Sequence, residues 1–353
     1  MNRRRFTCLL ALIGGALVIA PAASAQSTYS FKPLAMVPTI AGPGTISRPI
    51  GLSPDGSYAS GEQQNQAAIE KGGNIKFLGF LSGSPYSLAT GVAANGDAAV
   101  GWTGVGGFYW TPSAGITPLG VLPGYQNSLA TDISEKGEAV IGYCSNSGQY
   151  GSVEAFLWSP STGMQNLGFL PGHTFSYGTA ISGSGLVATG YSGGFGLPIT
   201  AVRWESGQLR SLGTLPGYTN SFGYGISRYG DYIVGYVTRP GIPMAAFLWN
   251  RSTGMKSIAP LSGLDASYLR DVSQNGDRSV GFGQFNGNST AILYDNQFGK
   301  TYLLQDLLLA KGITKVKGWQ LKEATSISDD GTTIVGIGLN PRGRQMYWQV
   351  TLP

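Results

Sequence analysis

The sequence predicts an all-β fold, a seven-bladed β-propeller whose last blade is closed by a strand from the N-terminal end. Three observations predict it. A Ser, a Gly three residues later and a second Gly five after that recur along the chain. The distance between copies falls in the range of propeller blades. The last copy has room for only three strands, while a fourth-strand pattern stands unclaimed near the other end.

The clearest copy is Ser134-Glu-Lys-Gly137 followed by Glu-Ala-Val-Ile-Gly142. Others run from Ser53 through Gly56 to Gly61, from Ser182 through Gly185 to Gly190, and from Ser227 through Gly230 to Gly235. Two more run from Ser273 through Gly276 to Gly281 and from Ser328 through Gly331 to Gly336. A seventh keeps Gly96 and Gly101 with Ala93 in the Ser position. The second glycines stand 40, 41, 48, 45, 46 and 55 residues apart. Gly142, Gly235 and Gly336 close strands, where a side chain is expected to meet the neighbouring blade or to force an unfavourable backbone.

Composition agrees with many short strands and tight turns. Gly is abundant at 55 residues and charged residues make up only 12%. The N-terminal end reads as a secretory signal over residues 1–25: Arg3, Arg4 and Arg5, an apolar run from Leu9 to Ala20, and Ala23-Ser24-Ala25 as a cleavage site. The apolar run is too short for a membrane span. The arginines also fit a twin-arginine signal, with an ordinary Sec signal as the reading preferred for so apolar a run. Removing those three arginines from 23 basic residues leaves 20 against 18 acidic ones, a net charge of +2. No Lys/Arg run survives, which argues against a nucleic-acid partner. Cys8 departs with the signal and Cys144 remains alone, so no internal disulfide is expected. The expected product is secreted or periplasmic and monomeric, a single domain over 26–353.

Each unit reads as four strands, shown best by residues 128–170. Ala130 to Ser134 ends the first, Glu138 to Tyr143 is the second, Glu154 to Trp158 the third and Met164 to Leu170 the fourth. Polar, Gly-rich and Pro-rich segments punctuate them. The third strand carries Trp110, Trp158, Trp204, Trp249 and Trp348 in five units, Tyr294 in another and Glu70 in the first. An aromatic once per blade points to packing between sheets rather than to a ligand. Asp55, Asp97, Asp231, Asp277 and Asp330 near the turns invite a calcium reading. No unit gathers several carboxylates at loop-ligand spacing, so turn-capping side chains are expected, and no metal or other cofactor.

The seventh unit ends with its third strand, Gln345 to Leu352. Phe31 to Pro38 matches fourth strands such as Ile116 to Pro123, so a ring closed across the two ends follows. Leu303, Leu304, Leu307 and Leu308, with Gly312 as a stop, predict a short helical insertion over about 301–312 packed on the last blades.

The units resemble the HAF-type extracellular repeat proteins of bacteria. The resemblance rests on Leu-Gly-x-Leu-Pro-Gly at 119–124, 167–172 and 212–217, each feeding Ile-Ser-x-x-Gly. Gly318-Trp319-Gln320-Leu321 leading to Ala324-Thr325-Ser326-Ile327-Ser328 is similar to that family's usual last unit. It spans nearly all of residues 40–353 and implies export and a propeller-like fold, with no established activity. Ala93, Glu70 and the missing C-terminal anchor of some relatives are departures.

In this strand order the fourth-to-first and second-to-third loops share one face, where propellers commonly bind. The former bring Tyr86, Tyr125, His173 and Tyr218. The latter bring Gln149, Tyr150, Phe195, Arg239, Phe285, Asn286, Arg342 and Arg344. Aromatics and amides suit a sugar or peptide, and equally suit cover for blade seams. Six residues before the signature Ser stand Ser47, Ser87, Ser128, Ser176, Ser221 and Ser267, with Lys322 in the seventh unit. They are expected at the channel mouth, either bonding loop backbone or offering hydroxyls and one cation to an anionic or hydroxylated ligand. The candidate ligand-binding set is Tyr125, His173, Tyr218, Lys322, Arg270 and Asp132.

Catalysis has little to build on. His173 is the only His, which leaves a triad or a zinc site without its usual donors. Asp132, Asp271 and Glu323 are the inner-strand carboxylates from which a glycosidase or lyase would be made. The expectation is a module that binds an extracellular glycan, peptide or protein and is not an enzyme. A propeller glycosidase or lyase and a structural envelope or matrix component are the alternatives.

Overall fold

The computed structural model describes residues 28–38, 50–146, 152–258 and 260–353. The signal at 1–25, Ser47, Gln149 and Tyr150 lie outside the described residues. Seven four-stranded antiparallel sheets follow one another as blades 1 to 7. Their innermost strands are Gly51–Leu52, Ser87–Val92, Asn127–Ile133, Phe175–Ile181, Asn220–Ile226, Ala266–Val272 and Gln320–Ile327. The outer edge of blade 7 is Ser30–Pro33, antiparallel to Gln345–Thr351 with Phe31 opposite Val350 and Pro33 opposite Trp348. Leu34 extends the ladder by donating its N–H to the Tyr347 carbonyl at 3.0 Å. Closure brings blade 7 to the same four strands as the other six.

The repeated Ser is a turn-builder. The Ser134 Oγ accepts the Ala139 N–H at 2.9 Å, and the Gly137 N–H closes on the Ser134 carbonyl at 2.9 Å. Gly137 has φ +75°, a conformation that L side chains rarely adopt. Five sister serines make the same bond to the N–H five residues on. Asp55 and Asp330 accept from the hydroxyls of Ser53 and Ser328, at 2.6 and 2.5 Å, and so belong to the turns. Among the described residues no group of acidic, His or Cys side chains could hold a metal.

The second glycine answers a bulge. In blades 2 to 6 the innermost strand skips one residue opposite it: Thr90, Thr131, Thr179, Tyr224 and Arg270. Blade 7 skips Thr325 in the same place. The bulge turns the carbonyl two residues upstream onto the glycine. A Cβ on Gly235 would sit on the Phe222 carbonyl oxygen, and one on Gly142 or Gly336 on that of Leu129 or Glu323. The expected reason, a neighbouring blade or a strained φ, is thus corrected: the obstacle is the blade's own first strand, at ordinary φ.

Apolar burial lies between blades. Ile141 and Ala155 of blade 3 cluster with Ile181, Val202 and Trp204 of blade 4. The third-strand aromatics face the preceding blade: Trp158 meets Tyr109 with ring centroids 4.9 Å apart, and the Trp204 indole donates to the Leu167 carbonyl at 2.9 Å. Glu70, where blade 1 lacks the Trp, accepts the Met36 N–H at 2.9 Å across the blade 7 seam. The helix Leu304–Ala310 buries Leu304 and Leu308 among Trp319, Leu321 and Trp348. Among the described residues no helix is long and apolar enough to cross a membrane.

Candidate functional site at the channel mouth

The innermost strands give the channel its levels. At the middle level stand the bulge residues. Thr131 shares its hydroxyl proton between the Ile141 carbonyl of its own blade (3.1 Å) and the Gly178 carbonyl of the next (3.0 Å). Thr90, Thr179 and Thr325 tie their blades to the following ones in the same way. Blades 5 and 6 carry Tyr224 and Arg270 instead. The symmetry of the channel breaks there.

Below lie Asp132 and Asp271. Asp132 accepts the N–H of Ile133 at 2.8 Å and that of Ile181, in blade 4, at 2.9 Å. Asp271 accepts the Val272 N–H at 2.8 Å and, from blade 7, the Ser326 hydroxyl at 2.7 Å and the Ile327 N–H at 2.9 Å. Both lie deep in the protein yet keep accessible surface, as channel-lining groups do. Burial pushes Asp132 up to about 7 against its two N–H bonds, with Asp271 adding repulsion. Burial likewise pushes Asp271 up to about 6.

The turns at the tight-turn end are linked to one another. Backbone bonds run from Ala94 to Glu135, Gly183 and Arg228, and from Gln274 to Asp329 and Pro54. Arg228 reaches the carboxylates of Glu135 at 2.7 Å and Asp329 at 3.4 Å, joining blades 5, 3 and 7. Burial still pushes Asp329 up to about 6, with Arg228 opposing it.

The loop-rich end is aromatic. Five residues before the signature Ser, and one after the second Gly, blades 4 to 6 place cross-strand pairs: Tyr177 opposite Tyr191, Phe222 opposite Tyr236, Tyr268 opposite Phe282. Each pair stacks, with centroids 4.9, 4.8 and 4.4 Å apart. Tyr143 extends the belt into blade 3, 4.7 Å from Tyr177. Tyr224 stacks on Tyr236 at 5.5 Å, and the Arg270 guanidinium lies 4.8 Å from the Tyr224 ring and 5.3 Å from Phe282. Arg270 Nε donates to Glu323 Oε1 at 2.7 Å. Glu323 stands opposite Ile337, at the level where blades 4 to 6 have their aromatics. Burial drives the hydroxyl of Tyr143 up to about 12 and that of Tyr191 higher still, so both stay protonated donors.

The six residues expected to form one site are scattered. Arg270 belongs to the belt and Asp132 to the level below it. Tyr125, His173 and Tyr218 each anchor a fourth-to-first loop to their own blade. Tyr125 donates to Glu154 at 3.0 Å and Tyr218 to the Pro243 carbonyl at 3.2 Å; the His173 Nδ1 lies 2.9 Å from the Ser192 Oγ. Burial, and then Glu154, push the Tyr125 hydroxyl up to about 12. Arg239 similarly caps the Gly217 carbonyl at 3.1 Å. Phe195 and Phe285 are exposed on the rim.

The serine series needs correction. Ser87, Ser128, Ser176, Ser221 and Ser267 are buried in blade seams, not set around the mouth. Ser176 is typical: its Oγ accepts the Ala155 N–H at 3.0 Å and donates to the Gly168 carbonyl at 2.8 Å. Lys322 is not their counterpart. A second bulge makes it an extra residue, and Leu321, opposite Gly338, holds their register. Lys322 is half-buried and makes no ion pair among the described residues.

Solved structures share this architecture. The chain is a β-propeller. It is similar to an oligogalacturonate lyase from Vibrio parahaemolyticus, at 8% identity and TM-score 0.54 over 92% of this chain and 97% of that one. It is similar to the hydrazine synthase of Kuenenia stuttgartiensis at 13% identity and TM-score 0.51, over 88% and 98%. Puromycin hydrolase matches at 12% identity and TM-score 0.55, over 90% of this chain but 55% of that one. At these identities the likeness shows the fold alone. No protein-family model matches the chain, and no curated protein does.

Proposed function

We propose that this chain is an exported binding module whose ligand enters the channel from the loop-rich face and rests on the aromatic belt of blades 3 to 6. The observation that carries the reading is the broken symmetry. The scaffold's own need at the bulge is met by Thr in four blades, yet Tyr224 and Arg270 are placed in the channel beside a run of half-exposed tyrosines. Loops over a rigid scaffold and half-exposed aromatics are what recognition sites are built from. The Arg228 ion pairs occupy the opposite, tight-turn end. Export rests on the signal pattern of residues 1–25 and on the resemblance to HAF-type repeat proteins.

Binding is favoured over catalysis because both oxygens of Asp132 and of Asp271 already accept hydrogen bonds, one from the strand's own next N–H and the other from a different blade. A carboxylate so committed is poorly placed to exchange protons with a substrate. The test is a glycan and peptide array probed with the protein lacking residues 1–25, then with Tyr177→Ala and Tyr191→Ala. Loss of the array signal in both folded variants is expected. A ligand that binds the two variants as well as the parent would place recognition elsewhere and remove the proposal.

A further inference from the structure

We propose that Arg270 anchors a carboxylate of that ligand, and that the ligand is an acidic, hydroxyl-rich saccharide; this rests on reading the mouth as the binding site. Arg270 is held on three sides. Tyr224 and Phe282 cover its faces, and Glu323 takes its Nε. The two terminal nitrogens have no hydrogen-bond partner among the described residues, and the side chain keeps 28% of its surface where Glu323 keeps 10%. The free edge of the guanidinium is therefore a pre-positioned fork of N–H donors, the geometry that a carboxylate fills bidentately.

The surroundings favour oxygen acceptors over a cation. Phe222, Tyr236, Tyr224, Arg270, Phe282 and Tyr268 form a continuous stack. Their ring faces are covered by one another, so the electropositive ring edges are what the column presents. The hydroxyls of Tyr143, Tyr177 and Tyr191 make no hydrogen bond among the described residues and stay protonated. The charged groups nearby are Glu323, Asp271, Asp132 and Lys322. Glu323 is committed to Arg270, the two aspartates to backbone N–H groups, and Lys322 makes no ion pair. What remains for a ligand is a donor fork beside hydroxyls able to bond sugar hydroxyls.

Titration calorimetry tests this with hexagalacturonate, hexamannuronate and a hyaluronan hexasaccharide, each beside its carboxyl-reduced counterpart. At least one acidic form should bind, and its reduced counterpart about tenfold more weakly, the scale of one charge-assisted contact. Arg270→Gln with Glu323→Gln keeps a neutral hydrogen-bonded pair in place. It should lose about tenfold for the acidic form and nothing for the reduced one. Circular dichroism and melting establish that the variant is folded, and single Arg270→Lys gives a second readout, a loss of similar size with charge retained. Equal affinity for acidic and reduced forms, an unaffected double variant, or no binding by any acidic hexasaccharide overturns the proposal. If neutral sugars or peptides bind and Tyr177→Ala abolishes it, the mouth remains the site and only the carboxylate fails.

Discussion

The ring of Phe31 meets that of Trp319 edge-on, with centroids 5.0 Å apart and planes at 75°. The contact ties the first described strand to the blade that ends the chain, in a cluster with Leu304, Leu308 and Trp348. Phe31→Ala should cost about 3 kcal/mol, the usual scale for emptying a buried Phe site. Chemical denaturation measures it. Deleting 28–38 should leave the protein insoluble, because Gln345–Thr351 would become an open edge. A soluble deletion variant with parental melting would show that the ring does not depend on that strand.

Gly235→Val should be severely destabilising, by about 3 kcal/mol or more, since the new side chain would overlap the Phe222 carbonyl and the strands would have to part. The melting temperature reads this directly. An unchanged value would mean that the bulge at Tyr224 can relax away, and that the glycine is incidental.

Asp132 sets a pH dependence whose sign follows from its raised affinity for protons. Its ordinary value is 3.8 and burial carries it to about 7 in the fold. Between those values the folded protein holds a proton that the unfolded chain has released, so stability falls as pH rises through the window. Asp271 and Asp329, both pushed to about 6, add slopes of the same sign. Asp132→Asn should flatten the loss of stability from about pH 4 to pH 7 without abolishing it. Urea midpoints across that range check this; an identical slope in the variant would show that Asp132 is not the group responsible.

Lys322→Ser should leave stability within about 0.5 kcal/mol, as expected of a side chain without an ion pair at a bulge. If the mouth takes an acidic ligand, affinity should fall about threefold and depend less on salt, because one positive charge near the site is gone. Calorimetry at two ionic strengths separates that outcome from no effect.

Much of the fold was legible in the sequence because each blade repeats the same local physics. Ser134 makes its turn with Gly137 and Ala139, three and five residues on, and the unclaimed Phe31 to Pro38 segment could only complete the unit that lacked a strand. Strand ends were less legible. The fourth strand of unit three, expected from Met164 to Leu170, is Gly163–Asn166, because Gly168 at φ +67° turns the chain away.

The site divides differently. Sequence alone determined which residues depart from the repeat, and Arg270, Asp132 and Glu323 were visible as charged residues on innermost strands. The belt was also readable in principle: five before the signature Ser, units four to six have Tyr177, Phe222 and Tyr268. Only the tertiary structure decided what these residues do. A bulge shifts register by one residue and leaves no mark in spacing, so it alone reveals that Lys322 is an insertion and that Glu323 faces Arg270. Whether a serine lines a channel or a seam depends on which blade backbone lies beside it. That is settled by closure of the ring, a property of all seven units at once.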